Sequence, residues 1–314
     1  MRTAGSRKTS PPGEGIRPDQ IAAVRSFNRV VTRRIGALTD SFHGRGRPLS
    51  EARLLFEIGK AGADARDLRA RMSLDSGYLS RLLRSLERQG LVKTQPAQHD
   101  ARVTTASLTR AGARELDALN RLSERFATTL LARLGTSQRG RLVAAMADVE
   151  RLMQAAAVEI AIANPNGSSA RWCLDAYYRE LAERFPVGYD PARGGVVPES
   201  FESPHGAFVL ATLDARPVGC GALKLAGVAV GEIKRMWVDR SARGLGVGRR
   251  ILDALEAHAR AAGLHTLRLE TNSVLTEAAA LYERAGYRRV EAFDADPYAD
   301  RWFAKDLAQG ADQA

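Results

Sequence analysis

The feature that most restricts the fold of this chain is RGLGVGRR, residues 243–250, in which glycines alternate with Arg243, Leu245 and Val247. The strand-like run VGEIKRMWV lies shortly before it, and RRILDALEAHARAAG at its end has the apolar spacing of a helix. A glycine turn between a strand and a helix brings backbone N–H groups and the positive end of the helix dipole together. We therefore expect a phosphate-binding turn to which Arg243 and Arg249 add charge. The alternative is a tight turn with a structural role only.

Two common phosphate-binding motifs do not match this turn. A Walker loop requires Lys and then Ser or Thr after its last glycine, whereas Arg249 and Arg250 follow Gly248. A dinucleotide fingerprint requires G-x-G-x-x-G directly after the first strand of a domain, but the spacing here is G-x-G-x-G after a later strand. The remaining match is a pyrophosphate cradle at the start of a helix.

The sequence around the turn predicts a mixed sheet. Three strand-like runs, AFVLATL, PVGCGALKL and VGEIKRMWV, come before the turn, and strands alternate with helices after it. Antiparallel strands followed by strand–helix–strand units favour an α/β domain with helices on the faces of the sheet.

Residues 171–307 resemble a GNAT-family N-acetyltransferase. The resemblance rests on GEIKRMWVDRSARGLGVGRRILDALEAHARAAG, LRLETN and ALYERAGYRR, and the family signature R-x-x-G-x-G falls on Arg243, Gly246 and Gly248. It implies that the phosphates belong to an acyl-coenzyme A, with acetyl-CoA as acyl donor, and that the strand before the turn splays from its neighbour to pair with the pantetheine arm. The residues thus expected to bind the cofactor are Met236, Trp237, Val238, Arg243, Gly244, Leu245, Gly246, Val247, Gly248, Arg249 and Asn272.

Acetyl transfer to an amine needs a base that deprotonates the amine and an acid that protonates the departing thiolate. Glu232, near the start of the splayed strand, is the candidate base, acting through water; the alternative is a surface glutamate. Tyr282 is the candidate acid, because a phenol with a pKa near 10 suits protonation of a thiolate; the alternative is a core tyrosine. We expect the backbone N–H near Met236 to polarise the thioester carbonyl.

The positive charge of the chain lies in its first half. The net charge is +11; residues 1–160 hold 28 Lys and Arg against 16 Asp and Glu, whereas residues 161–314 hold 19 against 20. This asymmetry favours a polyanionic partner for one domain only, and nucleic acid rather than a membrane.

The first half has the order of a winged helix-turn-helix, in which a candidate recognition helix precedes a charged two-stranded ribbon. In SGYLSRLLRSLERQG, leucines would face the core and arginines would point outward, where they suit phosphates and the acceptor edge of guanine. Ser76 is the expected N-cap, and Arg102 at the ribbon tip, braced by Asp100, is expected to reach the minor groove. The alternative is a solvated basic helix in an all-α regulatory domain. The residues expected at the DNA are Ser76, Tyr78, Ser80, Arg81, Arg84, Asp100 and Arg102.

Residues 18–158 resemble a MarR-family winged-helix regulator, through SGYLSRLLRSLERQGLV, the ribbon motif HDARV and the following SLTRAG. The resemblance implies a homodimer formed by the outer helices, a palindromic operator in double-stranded DNA, and repression relieved by small anionic ligands. Wide apolar stripes on the first and last helices, too extensive for one small domain to bury alone, also favour dimerisation.

We therefore expect a multidomain chain: an all-α, winged helix-turn-helix domain followed by an α/β, mixed-sheet, GNAT-like domain. The predicted boundaries are a flexible arm at 1–17, the first domain at 18–160, a linker at 161–170 and the second domain at 171–314. The expected function is a DNA-binding regulator that is also an N-acetyltransferase for an unidentified amine. The alternative is a regulator whose second domain senses acyl-CoA without turnover.

The cysteines and the apolar runs predict a cytoplasmic protein without a metal site. Cys173 and Cys220 are the only cysteines, and isolated thiols form neither a disulfide framework nor a metal cluster. No uncharged apolar run reaches about 18 residues, and MRTAGSRKTSPPGEG lacks the apolar segment of a signal peptide.

Overall fold

The computed structural model of the chain describes residues 15–35, 45–96, 104–186, 188–194 and 198–307. It divides after Gly135 into two compact units. Residues 1–14 of the predicted arm lie outside the described residues, as do Asp100 and Arg102 at the tip of the ribbon.

The first unit contains α1 (Pro18–Ile35), α2 (Leu49–Ile58), β1 (Ala63–Asp64), α3 (Ala65–Arg71), α4 (Ser76–Arg88), β2 (Val92–Pro96), β3 (Thr104–Leu108) and α5 (Arg110–Ala132). The three strands form an antiparallel sheet in the order β1-β3-β2. An amphipathic helix, α4, followed directly by the β2–β3 ribbon confirms the predicted winged helix-turn-helix.

The apolar face of α4 anchors it in this unit. Leu79, Leu82, Leu83 and Leu86 recur at helical spacing and are all buried, as predicted, in a core that α2 also supplies. The opposite face, which carries the arginines, is left exposed.

The SLTRAG segment sets the start of α5. Thr109 is its N-cap, and the hydroxyl oxygen accepts a hydrogen bond from the Gly112 N–H at 3.0 Å. A Cβ at Gly112 would lie 1.9 Å from the carbonyl oxygen of Leu91, so only glycine allows α5 to approach that backbone.

The second unit contains α6 (Thr136–Ala157), β4 (Glu159–Ile162), α7 (Ser168–Arg184), β5 (Gly206–Leu213), β6 (Arg216–Leu225), β7 (Val230–Val238), α8 (Val247–Ala261), β8 (Thr266–Thr271), α9 (Thr276–Arg284), β9 (Arg288–Val290) and β10 (Arg301–Asp306). Its seven strands have the order β4-β5-β6-β7-β8-β10-β9. The pair β7–β8 is parallel and the other pairs are antiparallel, which confirms the predicted mixed sheet.

Helices cover both faces of this sheet. Ile251, Leu252 and Leu255 of α8 are fully buried in one cluster with alternate residues of β5. On the other face, α7 packs against Phe208 and Trp237. Alternation of side chains along each strand therefore supplies two apolar layers, as in other α/β domains.

The predicted linker at 161–170 is wrong. Residues 159–162 form β4, which pairs antiparallel with β5, and Val158 is buried in the core of the second unit. Asn164 closes the following turn by accepting hydrogen bonds from the Asn166 and Gly167 N–H groups, and Pro165 is buried. The turn-forming residues thus connect a strand to a helix within one unit, and the boundary expected at 160 falls inside β4.

The two cysteines are also less isolated than their spacing suggests. Cys173 of α7 and Cys220 of β6 are fully buried free thiols in one cluster. Hydrogen bonding with Cys173, together with burial, raises the pKa of the Cys220 thiol well above its usual range.

Candidate functional site

Strands β7 and β8 separate midway along β7. They pair only over Val230–Glu232 and Thr266–Arg268, although β7 continues to Val238. A bulge causes the divergence: Arg235 and Met236 lie opposite the single residue Gly221 of β6, and Arg235 takes a left-handed φ of 57°. A bulge bends its strand, so the β8-facing edge of β7 is open beyond Glu232, as predicted for the splayed strand.

A cleft of about 520 Å³ lies along this open edge. Of the predicted cofactor residues, it is lined by Met236, Trp237, Val238, Arg243, Gly244, Gly246, Val247, Gly248 and Arg249. Leu245 does not line it, because its side chain is buried in the core. Asn272 does not line it either; its amide donates to the Tyr298 carbonyl, and its oxygen accepts from the Val274 N–H.

The glycine turn leaves the first N–H groups of α8 available. Gly244 and Gly246 have φ values of 81° and 75°, which glycine adopts without strain. Gly246 is the N-cap and supplies no capping side chain, and the first helical bond runs from the Arg250 N–H to the Gly246 carbonyl. The N–H groups of residues 247–249 therefore precede the helical ladder and fit an anionic phosphate.

The arginines of the turn have protein partners. Arg243 forms an ion pair with Glu180 of α7 at 2.6 Å and donates to the Val238 carbonyl. Arg249 pairs with Asp253 one turn along α8 and is 45% exposed. Arg243 therefore joins the turn to the end of β7 and to α7, and the helix terminus adds its own partial positive charge at the cleft.

A second, smaller cavity of about 70 Å³ adjoins the cleft. Met236, Leu275 and Tyr282 line both cavities. The smaller cavity lies between the separated strands, with Arg235 on the β7 side and Glu270 on the β8 side. The two cavities therefore meet at Tyr282.

Glu232 does not line either cavity, contrary to its predicted role as base. It lies in the last parallel pair, opposite Arg268, whose guanidinium donates to Glu232 Oε1 at 3.0 and 2.5 Å. The carboxylate is thus bound where the strands are still paired, before they separate.

Glu270 lies on β8 two residues after Arg268, where β8 has already separated from β7. Its Oε1 accepts from Lys234 Nζ, its Oε2 is buried without a hydrogen-bond partner, and burial raises its pKa above the ordinary range. Sequence analysis missed Glu270, although the alternation in LRLET sets it on the same face as Arg268.

Tyr282 of α9 is buried where predicted, at the wall shared by the two cavities. Burial and the nearby Glu270 carboxylate raise the pKa of its phenol. The hydroxyl is therefore protonated throughout the ordinary pH range, but it is a weaker acid than the free phenol that the sequence analysis matched to a thiolate.

The candidate DNA-binding face lies on α4. Ser76, Ser80, Arg81 and Arg84 are exposed, and Tyr78 is half-buried beneath the Arg81 guanidinium, 5.5 Å from its ring centroid. Ser76 is not the N-cap: Asp75 caps α4 and accepts from the Tyr78 N–H at 2.8 Å.

Several helices expose apolar side chains. On α1, Ile21, Val24, Phe27 and Val30 are all exposed. On α6, Val143, Met146, Leu152 and Met153 are more than half exposed, and no residue is buried. Exposed apolar stripes of this kind are larger than those of an ordinary solvated helix.

The splayed strands, the uncapped helix and the adjoining cavities give the second unit the architecture of an acyl-CoA-binding fold. The profile of the Acetyltransferase (GNAT) family matches residues 174–287, and the profile of the MarR family matches residues 45–103. The chain therefore carries a GNAT-family domain and a MarR-family domain, as its motifs predict.

Each relative aligns with only part of this chain, and this chain aligns with only part of each relative. It is 40% identical over 90 residues to an IAA acetyltransferase of Azospirillum brasilense, which is 28% of this chain and 59% of that protein. It is 30% identical over 81 residues to an HTH-type transcriptional regulator of Bacillus subtilis, 26% of this chain and 49% of the relative. The chain thus spans less than two thirds of the length of these relatives.

Among solved structures, a GNAT-family acetyltransferase from Staphylococcus aureus Mu50 matches 48% of this chain and 99% of its own. The identity is 19% and the TM-score is 0.43.

Within the described residues, no helix has the length and apolar character needed to cross a membrane.

Proposed function

We propose that the chain is a bifunctional protein, a DNA-binding transcriptional regulator joined to an acetyl-CoA-dependent N-acetyltransferase that acts on an amine. The observation that carries the enzymatic half is the junction of two cavities at Tyr282, one lined by the glycine turn and the other by Glu270. Transfer from a bound thioester requires this combination of a donor cleft, a base and an acid.

The larger cleft is the donor site in this proposal. Its volume lies within the usual range of about 300–1,000 Å³ for small-molecule sites. The pyrophosphate of acetyl-CoA accepts hydrogen bonds from the N–H groups of residues 247–249, and Arg249 adds positive charge. The pantetheine arm pairs with the open edge of β7 at residues 236–238, and the Met236 N–H polarises the thioester carbonyl.

The smaller cavity is the acceptor site. Glu270 Oε2 removes a proton from the acceptor ammonium, and the resulting amine nitrogen attacks the thioester carbonyl carbon. The carbon–sulfur bond then breaks, and Tyr282 gives its proton to the departing thiolate. The Tyr282 phenolate takes up the excess proton of the new amide nitrogen, and Glu270 passes the proton that it holds to solvent. The products are the acetylated amine and coenzyme A as its thiol.

The first unit binds duplex DNA through α4 in this proposal. Arg81, Arg84 and Arg88 are exposed on one helix and lack a carboxylate partner among the described residues. Unpaired arginines of this kind suit phosphates and guanine edges in the major groove. The exposed apolar stripe of α1 supports a homodimer, and two buried free thiols are consistent with the reducing cytoplasm.

Thiol release from acetyl-CoA, measured with a panel of amines, tests the enzymatic half. Glu270→Gln is expected to lower kcat/KM about 10²–10⁴-fold, the usual contribution of a positioned base. Because the pKa of Glu270 is raised, wild-type activity should rise with pH as this carboxyl loses its proton, and the variant should lose that rise.

Glu283→Gln, the same change on α9 outside both cavities, is the matched control and should keep the pH profile. Glu232→Gln tests the other candidate base. A larger loss in this variant would assign the base to Glu232 instead. Binding of acetyl-CoA without thiol release from any amine would favour the sensor alternative. Gel shifts with DNA from the chain's own promoter region test the regulatory half, and light scattering tests the dimer.

A further inference from the structure

Two buried charged groups in the smaller cavity each have one atom without a partner. Arg235 is 7% exposed, and no described residue bonds its Nη2; the Glu270 side chain is 10% exposed, and its Oε2 is likewise unpartnered. Leaving a buried charge unsatisfied is costly, so such atoms in a native fold call for a bound group that satisfies them.

Each of these side chains is held by the protein at its other atoms. Arg235 Nε donates to the Tyr178 hydroxyl at 3.1 Å, and the guanidinium lies 5.4 Å from the centroid of that ring. Glu270 Oε1 accepts from Lys234. Both groups are therefore fixed in place, and each retains one atom for a ligand.

The two side chains have opposite charge and line one cavity, Arg235 from β7 and Glu270 from β8. A ligand that forms an ion pair with each of them carries an anion and a cation close together. The cavity volume of about 70 Å³ restricts that part of the ligand to a compact group. The remaining walls include the aromatic residues Tyr177, Phe185, Tyr189 and Tyr298.

We propose that the acceptor is a free α-amino acid, whose carboxylate binds Arg235 and whose ammonium binds Glu270. The inference rests on the proposed acetyl transfer, and it adds the acceptor class. The small volume and the aromatic walls together favour a compact apolar side chain. A lysine within a protein carries no carboxylate next to its amine, so it would leave Arg235 unsatisfied.

This arrangement also accounts for product release. Acetylation converts the ammonium, after loss of two protons, into a neutral amide that no longer forms an ion pair with Glu270. The product then keeps only the carboxylate contact with Arg235, so it binds more weakly than the substrate.

The test compares three amino acids, alanine, valine and leucine, with their decarboxylated amines and with a lysine-containing peptide. Thiol release gives kcat/KM, and calorimetry in the presence of coenzyme A gives acceptor affinity without turnover. We expect each amino acid to exceed its decarboxylated amine by about 10- to 100-fold, the effect of one charge-assisted bond.

Arg235→Lys and Arg235→Gln should remove most of that preference while acetyl-CoA affinity is retained. Arg179→Gln, a change at an exposed arginine of the neighbouring α7, is the matched control and should keep the preference. The wild-type comparison needs no variant, so a folding defect in the Arg235 variants would not decide the outcome.

Equal or better use of the decarboxylated amines or of the peptide would overturn the amino-acid assignment and leave the acetyltransferase proposal standing. Binding of the amino acids without thiol release would support the assignment and reject the proposed turnover. Absence of both amino-acid binding and turnover would overturn the assignment.

Discussion

Helices α4 and α8 are both proposed to bind phosphate-bearing ligands, yet their N-termini differ. Helix α4 begins at a capping carboxylate, because Asp75 accepts from the Tyr78 N–H. Helix α8 begins at Gly246, which supplies no capping side chain. The cap uses one of the first N–H groups of α4 and sets a negative charge beside the others, so the arginine side chains are the groups of α4 that suit an anion, whereas α8 has its N–H groups left.

The arginines of the two units also differ, in whether they are paired with carboxylates. Arg84 on α4 is exposed without a carboxylate partner among the described residues. In the second unit, Arg243 pairs with Glu180, Arg249 with Asp253 and Arg268 with Glu232, so these residues hold secondary structure together. The Arg249 pair is exposed and therefore weak, so of these three arginines Arg249 is the one that can still contribute charge to a ligand in the cleft.

Tyr282→Phe is expected to have the largest effect and to separate chemistry from binding. Turnover should fall about 10²–10⁴-fold, because the proton donor is lost while the ring remains. Thiol-release kinetics measure the loss, and calorimetry should find acetyl-CoA affinity nearly unchanged. Full turnover in the variant would rule out Tyr282 as the proton donor, without affecting the assignment of the donor cleft.

Gly246→Val tests whether the backbone of α8 binds the anion. A valine there would have left-handed strain of about 1–2 kcal/mol and a side chain at the open N-terminus. We expect acetyl-CoA affinity to fall at least about tenfold, a loss of about 1.4 kcal/mol, with DNA binding unaffected.

Gly263→Val is the matched control for this change. Gly263 has a φ of 77° beyond the opposite end of the same helix, and a Cβ there also meets no described atom within 4 Å. It therefore reproduces the strain without touching the cleft. Equal loss of acetyl-CoA affinity in the two variants would mean that strain, and not the anion site, explains the effect.

Arg84→Ala tests whether the arginine side chains of α4 bind DNA. If Arg84 contacts a base edge, specific DNA binding should weaken by about 1–3 kcal/mol. If it contacts a phosphate, the slope of the logarithm of the binding constant against the logarithm of the salt concentration should become shallower by about 1. Gel shifts over a range of salt concentrations distinguish the two cases. Arg179→Ala removes one exposed arginine from the other unit, and an equal effect there would argue against a specific role for α4.

Asp75→Ala is expected to have the smallest effect and tests the cap itself. Loss of the side-chain acceptor should lower the free energy of unfolding by about 0.5–2 kcal/mol, measured by chemical denaturation. Asp75→Asn retains an acceptor oxygen and should be nearly neutral. Equal destabilisation in both variants would show that the carboxylate acts through its charge rather than through the cap.

The sequence by itself determined the local features of both units. Leucines at helical spacing fixed which face of α4 is buried, and short apolar runs between turn-forming residues indicated the strands β5, β6 and β7. Glycines at positions 244 and 246 indicated the turn, because their left-handed backbone favours that residue type. These properties depend on neighbours within a few positions, so they can be read along the chain.

Tertiary structure decided which side chains meet. The parallel register pairs Glu232 with Arg268 and leaves Glu270 in the open cavity. The residues predicted as a linker lie within the second unit, because Val158 is buried in its core and β4 pairs with β5. Strand register and burial depend on residues far apart in sequence, so spacing within one segment cannot specify them.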